Sequence, residues 1–128
     1  MIYTVTLNPS IDYIVHVDAL QLGELNRMKQ DFKLPGGKGI NVSRILQRIQ
    51  TPSTAIGFIG GFTGRFIEEW LINERITTDF TQVAADTRIN IKLKSGEETE
   101  INGLGPTITD AESQQLKRKL SALTKEDI

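Results

Sequence analysis

The sequence predicts an α/β fold: a Rossmann-like layered core with a small, half-polar β-sheet projecting from it. Two observations carry this. Strands and helices alternate along the chain at a spacing that suits βαβ units and a parallel sheet. The strands are also of two kinds. Residues 2–7 and 53–59 are apolar on both sides, as strands covered on both faces are. Residues 11–18, 29–34, 88–94 and 98–102 are half polar and suit a sheet with one wet face. The crevice between the two sheets is the natural place for a ligand.

The elements follow in order. Ile2 to Leu7 is rich in β-branched residues and reads as a buried strand. Asn8-Pro9-Ser10 interrupts it, since proline cannot continue a central ladder. Tyr13, Val15 and Val17 then alternate with more polar neighbours in a second strand, with Asp12 at its mouth. Residues 19–28 read as a loop, and Met28 to Leu34 as a third, polar strand. Pro35, Gly36 and Gly37 predict a sharp turn. Val42, Ile45, Leu46 and Ile49 form the apolar stripe of a helix reaching about Gln50, where Thr51-Pro52 stops it.

Ser53 to Ile59 is a further apolar strand, and Gly60-Gly61 turns the chain into a helix from about Thr63 to Asn73. Phe66, Ile67, Trp70 and Leu71 share one face of that helix. Thr77 to Val83 reads as one strand. Thr87 to Leu93 alternates cleanly, turns at Lys94 to Glu97, and returns as Glu98 to Asn102, a hairpin. Thr109-Asp110-Ala111-Glu112 is a capping box opening a last helix with Leu116, Leu120 and Leu123 on one stripe.

The 128 residues suffice for one domain with a real core. With 38% hydrophobic and 24% charged residues, disorder is not expected. A net charge of −1 gives no electrostatic reason to expect nucleic acid or an anionic membrane. The absence of cysteine excludes a disulfide framework and a thiolate zinc site, and the single histidine, His16, excludes multi-histidine metal sites. The opening stretch lacks a basic region and reads as a strand rather than a signal peptide. No apolar run approaches the ~18 residues that span a membrane. The expected location is the cytoplasm.

The stretch from Pro35 to Arg44 is the richest in chemistry. A glycine turn opening a helix presents free N–H groups and the positive end of the helix dipole. Gly36, Gly37 and Gly39 admit close approach, Lys38 adds a cation, and Asn41 adds donors and an acceptor. The stretch is not a P-loop, because Lys38 is followed by Gly39, and it is not the dinucleotide G-x-G-x-x-G. A tight connection and an anion- or hydroxyl-binding loop both fit it. Asp12 fits a solvated strand-end carboxylate or a ligand for a polyol. Arg88, Asn90 and Lys92 fit a solvated strand face or a phosphate site, the planar Arg fork suiting phosphate bidentately. Arg27 and Lys29 are less specific. The glycines of residues 57–64 lack a charged partner and read as structural, Phe66 and Trp70 as core, and His16 as strand packing without a catalytic role.

Four motifs resemble a known family in order and spacing: Thr6 to Asp12, Pro35 to Arg44, Gly57 to Gly61 and Thr87 to Leu93. They are similar to those of ribokinase-like sugar kinases and, more narrowly, of the phosphofructokinase B group. Within it the motifs lean to the bacterial branch acting on fructose 1-phosphate, with tagatose 6-phosphate the alternative.

The resemblance implies a ribokinase-like three-layer core with the small sheet as a lid. It implies transfer of the ATP γ-phosphoryl group to a sugar-phosphate hydroxyl with Mg²⁺. By position, Asp12 would bind sugar hydroxyls, and Gly37, Lys38 and Asn41 would line the sugar site. Arg88, with Arg27 in second place, would hold the phosphate already on the substrate, and Asn90 lies adjacent. The lid implies a homodimer.

The family's nucleotide site and catalytic base lie in a C-terminal half, and no later strand here carries Gly-x-Gly-Asp. Asp12 is not that base, and Asp127 has no motif around it. The expectation is therefore an incomplete core: residues 1–128 as the substrate-and-lid part of a truncated kinase, with no catalytic residue, no bound cofactor and no activity alone. A non-catalytic sugar-phosphate-binding or dimerisation fragment is the rival of another class. A half sheet would also expose an apolar edge and self-associate.

Overall fold

The computed structural model describes residues 1–128. Two sheets divide the strands. The first is all parallel. β1 (Ile2–Thr6) pairs with β4 (Ser53–Gly60), and β4 pairs on its other side with the short β5 (Thr77–Thr78) and β6 (Thr81–Val83). The stretch expected as one strand over Thr77 to Val83 is thus split, with both pieces paired to β4. The second sheet is mixed, in the order β3 (Gln30–Gly36), β2 (Ser10–His16), β7 (Arg88–Ser95), β8 (Glu97–Ile101). β2 runs parallel to β7, and the outer pairs are antiparallel.

Three helices cover the first sheet. α1 (Lys38–Arg48) and α2 (Gly61–Asn73) lie on one face, where Ile40, Ala55, Ile59, Ile67 and Leu71 form the main core. α3 (Asp110–Ser121) lies on the other, where Leu116 packs with Phe58 and Val83. The capping box of α3 forms as its sequence requires: Glu112 N–H donates to Thr109 Oγ1 at 3.2 Å, and Thr109 N–H donates to Glu112 Oε1 at 2.9 Å. These hydrogen bonds hold the Glu112 carboxyl below the usual carboxylate range.

Three expectations are corrected. First, Pro35 and Gly36 are the last residues of β3, opposite Ile11 and Ser10, so the turn is Gly37 alone. β3 is an edge strand, where a missing proline N–H leaves no ladder bond unmade. Second, the expected stripe of Val42, Ile45, Leu46 and Ile49 does not face the sheet: Leu46 is half-buried and the other three are exposed. Ile40 and Ser43 face it, and Ser43 Oγ joins Thr4 Oγ1 at 2.7 Å and Ser53 Oγ at 2.8 Å. Third, β1 is not apolar on both sides. Thr4 and Thr6 are its buried residues, while Val5 and Leu7 remain exposed. The small hydroxyl contacts let α1 sit close on β1 and β4, and they satisfy the buried hydroxyls mutually.

α1 and α2 are tied by a charge-assisted fork. Arg44 Nε and Nη2 donate to Glu74 at 3.0 and 2.8 Å, and Trp70 Nε1 donates to the same carboxylate at 2.7 Å. The Arg44 guanidinium, aided by Trp70, holds the Glu74 carboxyl below its ordinary range. Trp70 therefore sits half-buried beneath Arg44, its ring tilted 44° to that of Phe66 with centroids 5.7 Å apart.

Candidate functional site

The site lies where the start of β2, the end of β3 and the start of β7 meet. Register places it. Ser10 pairs with Gly36 on one side and Arg88 on the other, and Asp12 pairs with Leu34 and Asn90. Paired residues, and those two apart along a strand, share a face. Ser10, Asp12, Arg88 and Asn90 therefore share one, while Ile11 points away into the main core.

Ser10 is buried and donates its hydroxyl to Asp12 Oδ1 at 2.7 Å. Gly36 makes this arrangement possible: a Cβ there would lie 2.5 Å from both Asp12 Oδ1 and Ser10 Oγ. One carboxylate oxygen is thus occupied by Ser10. The second oxygen keeps acceptor capacity for a ligand's hydroxyls.

Arg88 is anchored at one end of its fork. Its Nη2 donates to the Asn8 carbonyl at 3.1 Å, and its Nε is buried without a partner. Asn90 is buried, and its Oδ1 accepts the Gly103 N–H at 3.0 Å. That bond draws the segment after β8 across the site. A Cβ at Gly105 would lie 2.7 Å from Asn8 Oδ1. Asn8, Ser10, Gly103 and Gly105 were not singled out from the sequence. Asn8 and Ser10 lie inside the Thr6-to-Asp12 motif without standing out in it, and Gly103 and Gly105 carry no signal of their own in the sequence.

Gly37, at φ 127°, turns the chain from β3 into α1. It caps the helix without a side-chain hydrogen bond, and no acidic residue stands in the first turn. Thr6 Oγ1 takes the Ile40 N–H at 3.0 Å. Lys38 and Asn41 lie exposed on this first turn, which follows directly on Gly36 and Gly37.

Arg27 is placed elsewhere. It is exposed in the loop between β2 and β3, beyond the His16 end of β2. Six residue steps at ~3.3 Å separate that end from the Arg88 level, so about 20 Å of sheet lies between them. His16 packs edge-on against Phe32 with ring centroids 6.1 Å apart.

A carboxylate, an arginine fork and a helix start without acidic residues suit a ligand carrying hydroxyls and an anionic group. No three His, Cys, Asp or Glu side chains converge into a cluster that could hold a metal ion by themselves. No helix is long and apolar enough to cross a membrane.

The chain is 56% identical over its whole length to the 1-phosphofructokinase of Bacillus subtilis and covers 42% of that protein. It is 47% identical over 94% of its length to the D-tagatose-1-phosphate kinase of Bacillus licheniformis, covering 40% of it. In three dimensions it resembles the tetrameric inhibited form of phosphofructokinase-2 from Escherichia coli, with a TM-score of 0.84 and 29% identity over 93% of this chain and 40% of that one. The chain thus spans well under half the length of these relatives. Residues 5–128 match the model of the pfkB family carbohydrate kinases, and the chain belongs to that family.

Proposed function

We propose that this chain supplies the acceptor side of a sugar-phosphate kinase, with fructose 1-phosphate as acceptor and fructose 1,6-bisphosphate as product. The observation that carries the reading is the β2–β7 register, which sets Asp12 and Arg88 on one face across adjacent strands. The likeness to 1-phosphofructokinase along the whole chain supports the choice of sugar.

Asp12, oriented by Ser10, accepts hydrogen bonds from sugar hydroxyls. The free edge of the Arg88 fork takes the phosphate already on the sugar, with Asn90 beside it holding the 103–105 segment. Gly37 admits the sugar to the α1 start, where Lys38 and Asn41 line its anionic and hydroxyl groups. These contacts position the acceptor hydroxyl, and positioning is the larger part of phosphoryl transfer. ATP, Mg²⁺ and the catalytic base belong to parts of a full-length kinase beyond these residues, so the 128-residue chain alone binds without turning over. The second sheet acts as the lid. A homodimer forms through it, over the groove lined by Leu20, Leu22, Leu93 and Ile101, and Arg27 reaches a phosphate only from such a neighbour.

Titration calorimetry of the chain with fructose 1-phosphate tests this reading. Binding that Asp12→Ala and Arg88→Ala each weaken is expected, and binding unchanged by both overturns the site. The likeness to a tagatose-phosphate kinase supports a second reading, in which a tagatose phosphate binds more tightly in the same titration.

A further inference from the structure

We propose that Asn102 is a site of spontaneous covalent modification: deamidation through the backbone nitrogen of Gly103, at a rate governed by the Asn90 side chain. The consequence drawn below for ligand binding rests on the proposed function. The chemistry at Asn102 does not.

The pair itself comes first. Asn102 is the only asparagine that precedes a glycine; the others precede Pro9, Arg27, Val42, Glu74 and Ile91. Deamidation starts when hydroxide takes the proton of the next residue's backbone N–H. The nitrogen then attacks the asparagine Cγ. A Cβ on that next residue hinders the approach, and glycine has none. A bond forms between Gly103 N and Asn102 Cγ, and the bond from Cγ to the side-chain nitrogen breaks. That nitrogen takes a proton from water and leaves as ammonia. One water then opens the cyclic imide. Attack at the former side-chain carbonyl gives aspartate, and attack at the main-chain carbonyl gives isoaspartate. Nothing is oxidised or reduced.

The fold exposes the amide. The ladder between β7 and β8 ends where Ile91 faces Ile101, so Asn102 is the first residue beyond it. It is exposed, and water and hydroxide reach it freely.

The fold also restrains the nucleophile. Gly103 N–H donates to Asn90 Oδ1 at 3.0 Å, and Asn90 is buried. The nitrogen that must attack is thus engaged, with its proton directed at a fixed acceptor. That bond has to open before the nitrogen can be deprotonated and turned toward Cγ. Replacement of the glycine is not open to the fold: a Cβ at position 103 would lie 2.5 Å from the Ile89 carbonyl oxygen. Close packing therefore brings the reactive pair with it, and Asn90 slows the reaction that results.

The product disturbs the site. Isoaspartate carries the chain through the former side chain and adds a methylene to the backbone. The segment after β8 has no slack for this. Gly103 is held by Asn90, and a Cβ at Gly105 would lie 2.7 Å from Asn8 Oδ1. The Asn8 carbonyl in turn accepts from Arg88 Nη2. A longer backbone shifts both glycine contacts, loosens Arg88 and weakens the hold on a sugar phosphate.

Ageing the chain in warm, mildly alkaline buffer tests the proposal. Peptide mapping by mass spectrometry locates each amide-to-acid change, and isoaspartyl methyltransferase reports isoaspartate. Asn102 is expected to convert ahead of every other asparagine. Asn90→Ala is expected to speed it by about threefold or more, the equivalent of one hydrogen bond. Asn90→Asp keeps an acceptor oxygen and is expected to keep the rate slow. Asn26 and Asn73 serve as references in the same map, because general loosening of the fold would quicken them too. Another asparagine converting first overturns the proposal. So does a rate at Asn102 that Asn90→Ala leaves unchanged or raises only in step with the references. Calorimetry with fructose 1-phosphate then compares the aged chain with Asn102→Ser aged in parallel. Affinity is expected to fall with isoaspartate content in the first and to hold in the second. A fresh chain whose binding ignores Asp12→Ala and Arg88→Ala overturns the proposed site and this consequence with it, while the mapping result stands on its own. A sound fresh site that isoaspartate leaves unaffected overturns the consequence alone.

Discussion

Ser10 donates its hydroxyl to Asp12 Oδ1 at 2.7 Å directly above the bare Cα of Gly36. The three residues act as one device: a buried donor turns the carboxylate, and the missing side chain leaves room for it. Gly36→Ala would set a Cβ 2.5 Å from both oxygens and push the carboxylate out of place. Calorimetry with fructose 1-phosphate should show binding weakened about tenfold or more, which is about 1.4 kcal/mol. Ser10→Ala should cost less, because it removes one hydrogen bond and inserts nothing.

Arg88 offers a planar fork, one end of which is held by the Asn8 carbonyl. Lysine carries the charge but not the fork. Arg88→Lys should therefore fail to restore what Arg88→Ala loses, and both should lower affinity for fructose 1-phosphate by roughly tenfold or more. Affinity for unphosphorylated fructose should hardly change, and the comparison of the two ligands in one titration series checks this.

Glu74 links α1 and α2 through Arg44 and Trp70, and its carboxyl is held below the ordinary value of 4.5. A depressed native value means that the unfolded chain binds the proton more readily. The stabilisation is therefore complete above that ordinary value and is lost as pH falls through the native one. Glu74→Gln should cost about 1 kcal/mol near neutral pH, a figure reduced by the carboxylate's partial exposure. Urea unfolding in steps below pH 4.5 should show the gap between the two proteins closing.

Thr109 opens α3 and shares a reciprocal capping box with Glu112, whose other oxygen takes the Ala84 N–H at 2.8 Å. Thr109→Ala should destabilise the chain by about 1 kcal/mol, and Thr109→Ser should restore most of it. Chemical denaturation followed by circular dichroism measures both.

The sequence by itself determined most of the local elements and singled out the residues of the candidate site. Period and punctuation are local properties. The alternation at Arg88 to Leu93, the capping box at Thr109 and the glycine start of α1 could be read one stretch at a time. Asp12, Arg88, Gly37, Lys38 and Asn41 stood out for the same reason: their chemistry is visible in their own segments.

What only the tertiary structure decided concerns partners far apart in the chain. The pairing of β2 with β7 sets Asp12 beside Asn90 and Ser10 beside Arg88, and no local pattern encodes that register. The Gly103 N–H reaches Asn90 only because β8 returns the chain there. The stripe on α1 was legible as apolar, but which flank is buried depends on what packs there. Thr4, Ser43 and Ser53 took the sheet side by closing a hydroxyl chain, and Val42, Ile45 and Ile49 stayed outside. Periodicity reports which residues avoid water. Packing against distant neighbours decides which of them succeed.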